Sequence, residues 1–198
     1  HYKIVISSGG VSPGYQPGHT HCDMGSFELC TPHGRLVVDS GVSQYAQGEL
    51  RRYSRSSLAH NVVMVNGDNQ HELWGEFRVG SRATIELLKL AMVPTDCGDE
   101  AESIVGMSCR SACGTPWRKT RAYHLGEHQI DIVDIVQSSS NASIESNFHL
   151  HPDVDIQPEG DGFNLRVAGD LAARIAVSDV ANTTIEHSYY CPDFGVVL

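Results

Sequence analysis

The run Gly18-His19-Thr20-His21-Cys22-Asp23 sets two imidazoles and a carboxylate at alternate positions. In an extended chain, residues two apart project to the same side, so His19, His21 and Asp23 are expected on one face. Such a row can bind a divalent metal, or divide one site between acid–base and metal roles. Three exposed polar residues on a strand are the plainer alternative. The turn-forming Pro17-Gly18 just before the run, and the later Asp39 and His60, weigh toward chemistry. Eleven histidines in 198 residues is a high count that points the same way.

Two known metal motifs share part of this run. Metallo-β-lactamase-type hydrolases use His-x-His-x-Asp-His, but Met24 stands at the last position, and their strands alternate with helices. Cupins are all-β and follow His-x-His with a glutamate three or four residues on, whereas the nearest downstream glutamate is Glu28. Each match loses a ligand, and metal affinity depends on ligand count and geometry.

The elements that must position these residues read as strands. Short apolar runs occur at Ser26–Cys30, Arg35–Asp39, Asn61–Val65, Ala83–Leu90, His128–Val136, Ile144–Leu150, Phe163–Ala168 and Ala172–Val177, separated by Gly, Pro, Asn, Asp and Ser. The opening His1-Tyr2-Lys3-Ile4-Val5-Ile6 already reads as strand, which suggests a piece whose true N-terminus lies elsewhere. Two runs slip phase: Ala83, Ile85 and Leu87 give way to Leu88 and Leu90, and Ile130 and Ile132 to Val133 and Ile135. A slip of this kind predicts a β-bulge or a strand buried on both faces. No segment holds a helical period over about twelve residues. The expectation is an all-β chain, an antiparallel β-sandwich, forming one domain over residues 1–198 with its chemistry between about residues 12 and 82. Residues 96–103 and 137–142 read as polar loops.

The chain is 40% hydrophobic and 19% charged, enough apolar material for a core and too little charge for a disordered tail. A net charge of −10 argues against a nucleic-acid partner. It would also repel an anionic sugar unless cations gather locally, as Arg51, Arg52, Arg55, Arg78 and Arg82 do along the chain. The plainer reading of those arginines is a solvated strand face. No apolar run is long enough to span a membrane, and no signal peptide is visible. The six cysteines contain no CxxC pair; Cys22 and Cys30 read as buried thiols, and Cys109 and Cys113 as candidates to pair across a loop.

A third resemblance extends much further. The blocks Tyr15–Leu29, Leu36–Val42 with Tyr45 soon after, Arg51–Val63, and Val65–Gln70 leading into Trp74–Gly80 resemble the heparinase II/III-like family, in the family's order and spacing. The segment Asn147–Pro152 is similar to a family segment as well. The motif-bearing part runs from Tyr15 to Gly80, and the rest is compatible in strand content.

The resemblance implies the C-terminal β-sandwich domain of a polysaccharide lyase, which cleaves the bond at C4 of a uronic acid by β-elimination. It places His19 toward the cleft, as a base or as a group polarising the substrate carboxylate. It maps zinc ligands onto His21, Asp39 and His60, which lie 18 and 21 residues apart, a separation that local patterning cannot reveal. Tyr45, Tyr53, Arg55 and Trp74 are candidate substrate-binding residues, through bidentate pairing or ring stacking. Asn61 is expected to support a ligand by hydrogen bonding, and His149 and His151 are possible cleft residues. In the family an N-terminal (α/α) toroid supplies further catalytic groups, so this domain alone is expected to turn over poorly. The partners implied are that toroid and an anionic polysaccharide such as heparan sulfate, alginate or another uronate polymer. The family's habit puts the protein in the periplasm or secreted. Two other classes stay open: a non-catalytic carbohydrate-binding module with a structural metal, and a cupin-like metalloenzyme.

Overall fold

A computed structural model describes residues 1–11, 13–94, 101–112, 114, 116–178 and 182–198. Strand β1 (Lys3–Ile6) pairs antiparallel with β2 (Phe27–Thr31), and β2 pairs with β3 (Gly34–Val37). One short helix, α1 (Glu49–Arg55), is followed by a 3-10 turn at Ser57–Ala59 and by β4 (Val63–Val65). A small hairpin joins β5 (Leu73–Trp74) to β6 (Arg78–Val79). The long strands β7 (Thr84–Pro94), β8 (Ala101–Arg110), β9 (Trp117–Leu125) and β10 (Ile130–Ser138) form an antiparallel meander in the order β10-β9-β8-β7. Then β11 (Ile144–Ser146) returns to pair with β4, and β12 (Val154–Glu159), β13 (Gly162–Val167) and β14 (Asp170–Ala176) make a third antiparallel sheet.

The core lies between the β1-β2-β3 sheet and the long meander. Phe27 and Val37 from the first meet Met107 and Tyr123 from the second, all buried, with Ile4, Ile6, Leu29 and Ile132 packed around them. The rings of Phe27 and Tyr123 meet edge to face, with centroids 5.7 Å apart. A second buried group, Met24, Val65, Ala83, Cys109 and Trp117, fastens the loops that carry the histidines to the same meander. Sheets stacked face to face over interdigitated side chains make an antiparallel β-sandwich. The expected fold class is the observed one.

The two phase slips have different origins. In β7 the pairing with β8 passes from Leu87–Met107 to Lys89–Gly106, so Leu88 is the extra residue of a bulge. In β10 the register against β9 runs unbroken from Ile130 to Ser138. There Asp134 takes a place on the inner face between Ile132 and Val136, and Val133 and Ile135 turn outward, 45% and 57% exposed. That slip marks a half-buried carboxylate paired with the buried Arg121.

Several elements escape the sequence pattern. The inward positions of β9 are Trp117, Lys119, Arg121 and Tyr123, so two cations break the apolar alternation that would reveal a strand. Strand β8 begins at Ala101, inside the stretch expected to be a polar loop; residues 96–100 of that stretch lie outside the described residues. The hairpin β5–β6 and the strand β12 were not expected either. The strand expected over Ile144–Leu150 stops at Ser146, and a single bridge between Val37 and Leu150 continues it. The arginine stretch is helical, not a strand face: α1 carries Arg51, Arg52 and Arg55. Cys22 is a buried free thiol as expected, and Cys30 is free but partly exposed. Cys113 lies outside the described residues, and with it the pairing expected with Cys109.

Candidate functional site

The histidine run is not a strand. Pro17–His19 forms a 3-10 turn, started by a proline whose fixed φ suits the first turn position and closed by the Thr20 amide donating to the Pro17 carbonyl at 3.0 Å. The chain then extends alongside α1, where the Cys22 amide donates to the Arg55 carbonyl at 2.9 Å. His19, His21 and Asp23 nevertheless reach one place. They line an open cleft of about 450 Å³, together with Asp39, His60 and Glu28.

Asp39 and His60 arrive by separate routes. Asp39 sits just past the end of β3, and His60 just past the turn Ser57–Ala59. Asn61 ties the two routes together. Its Nδ2 donates to the carbonyls of Phe27 and Val38 at 2.8 and 2.9 Å, and its Oδ1 accepts from the His149 amide at 2.6 Å. A fully buried amide that satisfies three backbone groups from three segments fixes their spacing. Gly41 completes the turn after Asp39: its amide donates to Asp39 Oδ1 at 3.0 Å. Its φ of 74° and the close approach of the Cys191 carbonyl leave no room for a Cβ.

Within this frame His60 Nδ1 lies 2.5 Å from Asp39 Oδ2, and the rings of His21 and His60 are 5.4 Å apart. Burial pulls the His60 imidazole down, but the hydrogen bond and charge of Asp39 outweigh it and leave its pKa raised. The same contact, with the Gly41 amide, holds Asp39 below the ordinary carboxylate value despite burial. Each partner thus favours the charged form of the other. His21 is the opposite case. Burial first, then the charges of His60 and Arg51, push its pKa down to about 3, so it stays neutral.

Two imidazoles and a carboxylate are a donor set suited to zinc, and the Nε2 of His60 is buried without a hydrogen-bond partner among the described residues. As the side chains stand, however, no three His, Cys, Asp or Glu among the described residues form a group that could hold a metal ion. The contacts give the reason. His60 and Asp39 are engaged with each other. Arg51 Nη1 lies 3.3 Å from His21 Nε2, and because a guanidinium only donates, that nitrogen is the acceptor.

The arginines differ from the expectation of sugar-facing cations. Arg51 is fully buried: its Nε and Nη2 donate to the Glu76 carbonyl at 3.2 and 3.0 Å, and Nη2 also to the Gly18 carbonyl at 3.3 Å. Its guanidinium lies 5.0 Å from the Tyr45 ring centroid and 5.4 Å from that of Phe77. Arg55, also buried, donates to the carbonyls of Thr20, Gly75 and Arg78. It presents no open face to a sugar and instead clamps α1 to the histidine run and to the β5–β6 hairpin. Arg52, Arg78 and Arg82 remain exposed.

The other candidates divide. Tyr45 stands next to His19, ring centroids 5.2 Å apart, and is 42% exposed. Tyr53 is half-buried, with its hydroxyl 2.5 Å from that of Ser188. Trp74 is exposed on the hairpin, outside the residues that line the cleft. His149 has Nε2 2.9 Å from the Leu58 carbonyl, and His151 packs against Tyr190; neither lines the cleft. No local pattern in the sequence marks Phe77 and Phe194, whose rings flank Tyr45 at 6.2 and 5.2 Å. None marks Arg121 directly, which donates twice to Asp134 and to the carbonyls of Gly25 and Asn61. The phase slip in β10 was the one available signal for that pair.

Comparison with known families matches residues 1–197 to the heparinase II/III-like, C-terminal description. No curated protein and no solved structure matches the chain. A family match over nearly every residue, carried by a β-sandwich in which the expected histidines and aspartate share one cleft, places this chain in the heparinase II/III-like C-terminal family.

Proposed function

We propose that this domain forms one wall of the active cleft of a lyase that cleaves uronic-acid-containing polysaccharides by β-elimination. One observation carries the reading: His19 is exposed at a cleft whose floor is the convergence of His21, Asp39 and His60. In β-elimination a base takes the C5 proton, charge develops on the uronate carboxylate, and the oxygen at C4 leaves with a proton. An open imidazole such as His19 can take the C5 proton or hydrogen-bond the carboxylate. The described lining of the cleft includes Asp23, Glu28 and Asp39 and no lysine or arginine. Neutralising the substrate carboxylate is therefore assigned to another part of the protein, an N-terminal (α/α) toroid, and this domain alone turns over poorly. The test is formation of unsaturated uronate, read by its absorbance, in full-length protein and its His19→Ala variant. Loss of cleavage with intact folding supports the reading; an unchanged rate in the variant rejects it.

The same reading assigns zinc to His21, Asp39 and His60 as a staple that holds the loops around the cleft. Binding requires the His60–Asp39 hydrogen bond to open and His21 to turn its lone pair from Arg51. The expected result is about one zinc per chain by elemental analysis, lost together with thermal stability in Asp39→Ala. A metal-free protein whose melting temperature does not respond to chelator would remove zinc from the account.

The acid-lined cleft also favours a second reading, a carbohydrate-binding module without catalysis. It predicts sugar binding by full-length protein that His19→Ala leaves intact, with no unsaturated product from either protein.

A further inference from the structure

Three exposed aromatic rings stand side by side at the edge of the cleft. Tyr45, Phe77 and Phe194 are 42%, 48% and 64% exposed, and Tyr45 touches each of the others and His19. Residues 45, 77 and 194 are far apart in the chain, and each is separately held. Phe77 packs over Gly18, the residue before His19. Phe194 is set by the Gly195 amide donating to the Ser43 carbonyl at 2.7 Å, and by the Cys191 amide donating to the Ser40 carbonyl at 2.8 Å. The Arg51 guanidinium lies against both Tyr45 and Phe77, in cation–π contact. Rings ordered this way and left open to water form a prepared apolar surface.

We infer that Tyr45, Phe77 and Phe194 form a stacking subsite for a pyranose ring adjoining His19, with Phe194 of the C-terminal segment as its outer member. This rests on the lyase reading and adds to it the way the sugar is held. An anionic sugar gains nothing from the acidic side chains that line the cleft. The apolar C–H face of a pyranose, by contrast, can pack on aromatic rings whatever the charge of its carboxylate. The shelf is continuous with the cleft through the contact between Tyr45 and His19, so a chain of sugars lying on it runs past the exposed imidazole.

The test uses full-length protein, with alginate and heparan sulfate fragments as the probes. Phe194→Ala is expected to raise KM, and the Kd from calorimetry, about tenfold, the size of one lost aromatic contact, with a much smaller change in kcat. Phe194→Tyr keeps a ring and retains most of the affinity. Phe77→Ala gives the same pattern from the other side of Tyr45 and stands in if Phe194→Ala does not fold. Unchanged KM and Kd in a folded Phe194→Ala overturn the subsite. So does a fall in melting temperature with unchanged KM, which would mean that the rings pack against a neighbouring domain. If the parent protein binds these polymers without cleaving them, the lyase reading fails and the Kd comparison alone decides the shelf. If it neither binds nor cleaves them, both fall.

Discussion

The long meander and the histidine-bearing loops both bury arginine, and they treat its charge differently. In the meander, Arg121 is fully buried and makes a two-pronged ion pair with Asp134, both bonds 2.8 Å. Its remaining donors reach the carbonyls of Gly25 and Asn61 and so tie the sheet to the loops above it. In the loops, Arg51 and Arg55 are as deeply buried, yet their partners are backbone carbonyls, aromatic rings and a neutral imidazole. A carboxylate cancels the charge, whereas carbonyl dipoles satisfy the donors and leave a net positive charge in place. The consequence appears at His21, whose imidazole is held neutral in part by Arg51. The meander thus pairs its guanidinium with a carboxylate, whereas the loops hold theirs with carbonyl dipoles and rings.

Breaking the neutralised pair should have the largest effect. Asp134→Ala leaves a buried guanidinium without its carboxylate, a change that costs about 3–5 kcal/mol. Denaturant unfolding reads it directly, and replacing Arg121 and Asp134 together by Met and Leu should recover most of the loss. A loss below about 1 kcal/mol for Asp134→Ala would mean that the carbonyl contacts alone suffice for Arg121, which would erase the contrast.

Removing Arg51 should have a middling effect. Arg51→Met leaves the Glu76 and Gly18 carbonyls without that donor, for a combined loss of about 2–4 kcal/mol. Arg51→Lys keeps a charge but not the fork, and should recover only a minor part of the loss. Full recovery by lysine would show that charge, and not directed hydrogen bonding, is what this position supplies.

The smallest effect sharpens the comparison from inside the meander. Lys119, two residues from Arg121 on the same face, is buried and its Nζ has no hydrogen-bond partner among the described residues. Burial, then the charge of Arg121, lowers its pKa to about 8. A lysine whose folded pKa lies below its unfolded value destabilises the fold wherever it must carry its charge there. The penalty is full below about pH 8 and fades as pH rises toward the free-lysine value of about 10.4. Lys119→Met should therefore be more stable than the parent by on the order of 1–2 kcal/mol at pH 7, with the gap narrowing above about pH 8 and closing only beyond about pH 10.4. A gap that stays constant across that range would place the gain in packing instead.

Much of the fold was legible where side chains alternate simply. The apolar runs of β2, β3, β7, β10, β13 and β14 mark strands, and their turn residues mark the breaks. What failed to read was a strand whose inner face carries charge. The inward Lys119 and Arg121 hid β9, and the inward Asp134 looked like a phase error in β10. The helix α1 was hidden for a related reason: its seven residues are too few to show a period, and three of them are arginines.

By itself the sequence determined the all-β class, the spacing of His19, His21 and Asp23, and the family blocks from Tyr15 to Gly80, because each depends on residue types at short separations. Only the tertiary structure decided that Asp39 meets His60, that Arg51 and Arg55 face inward, and that Phe194 lies beside Tyr45. Those contacts join segments 21 to 149 residues apart. Local periodicity reports which face of an element is buried, and it carries no information on which distant segment the returning chain brings against that face.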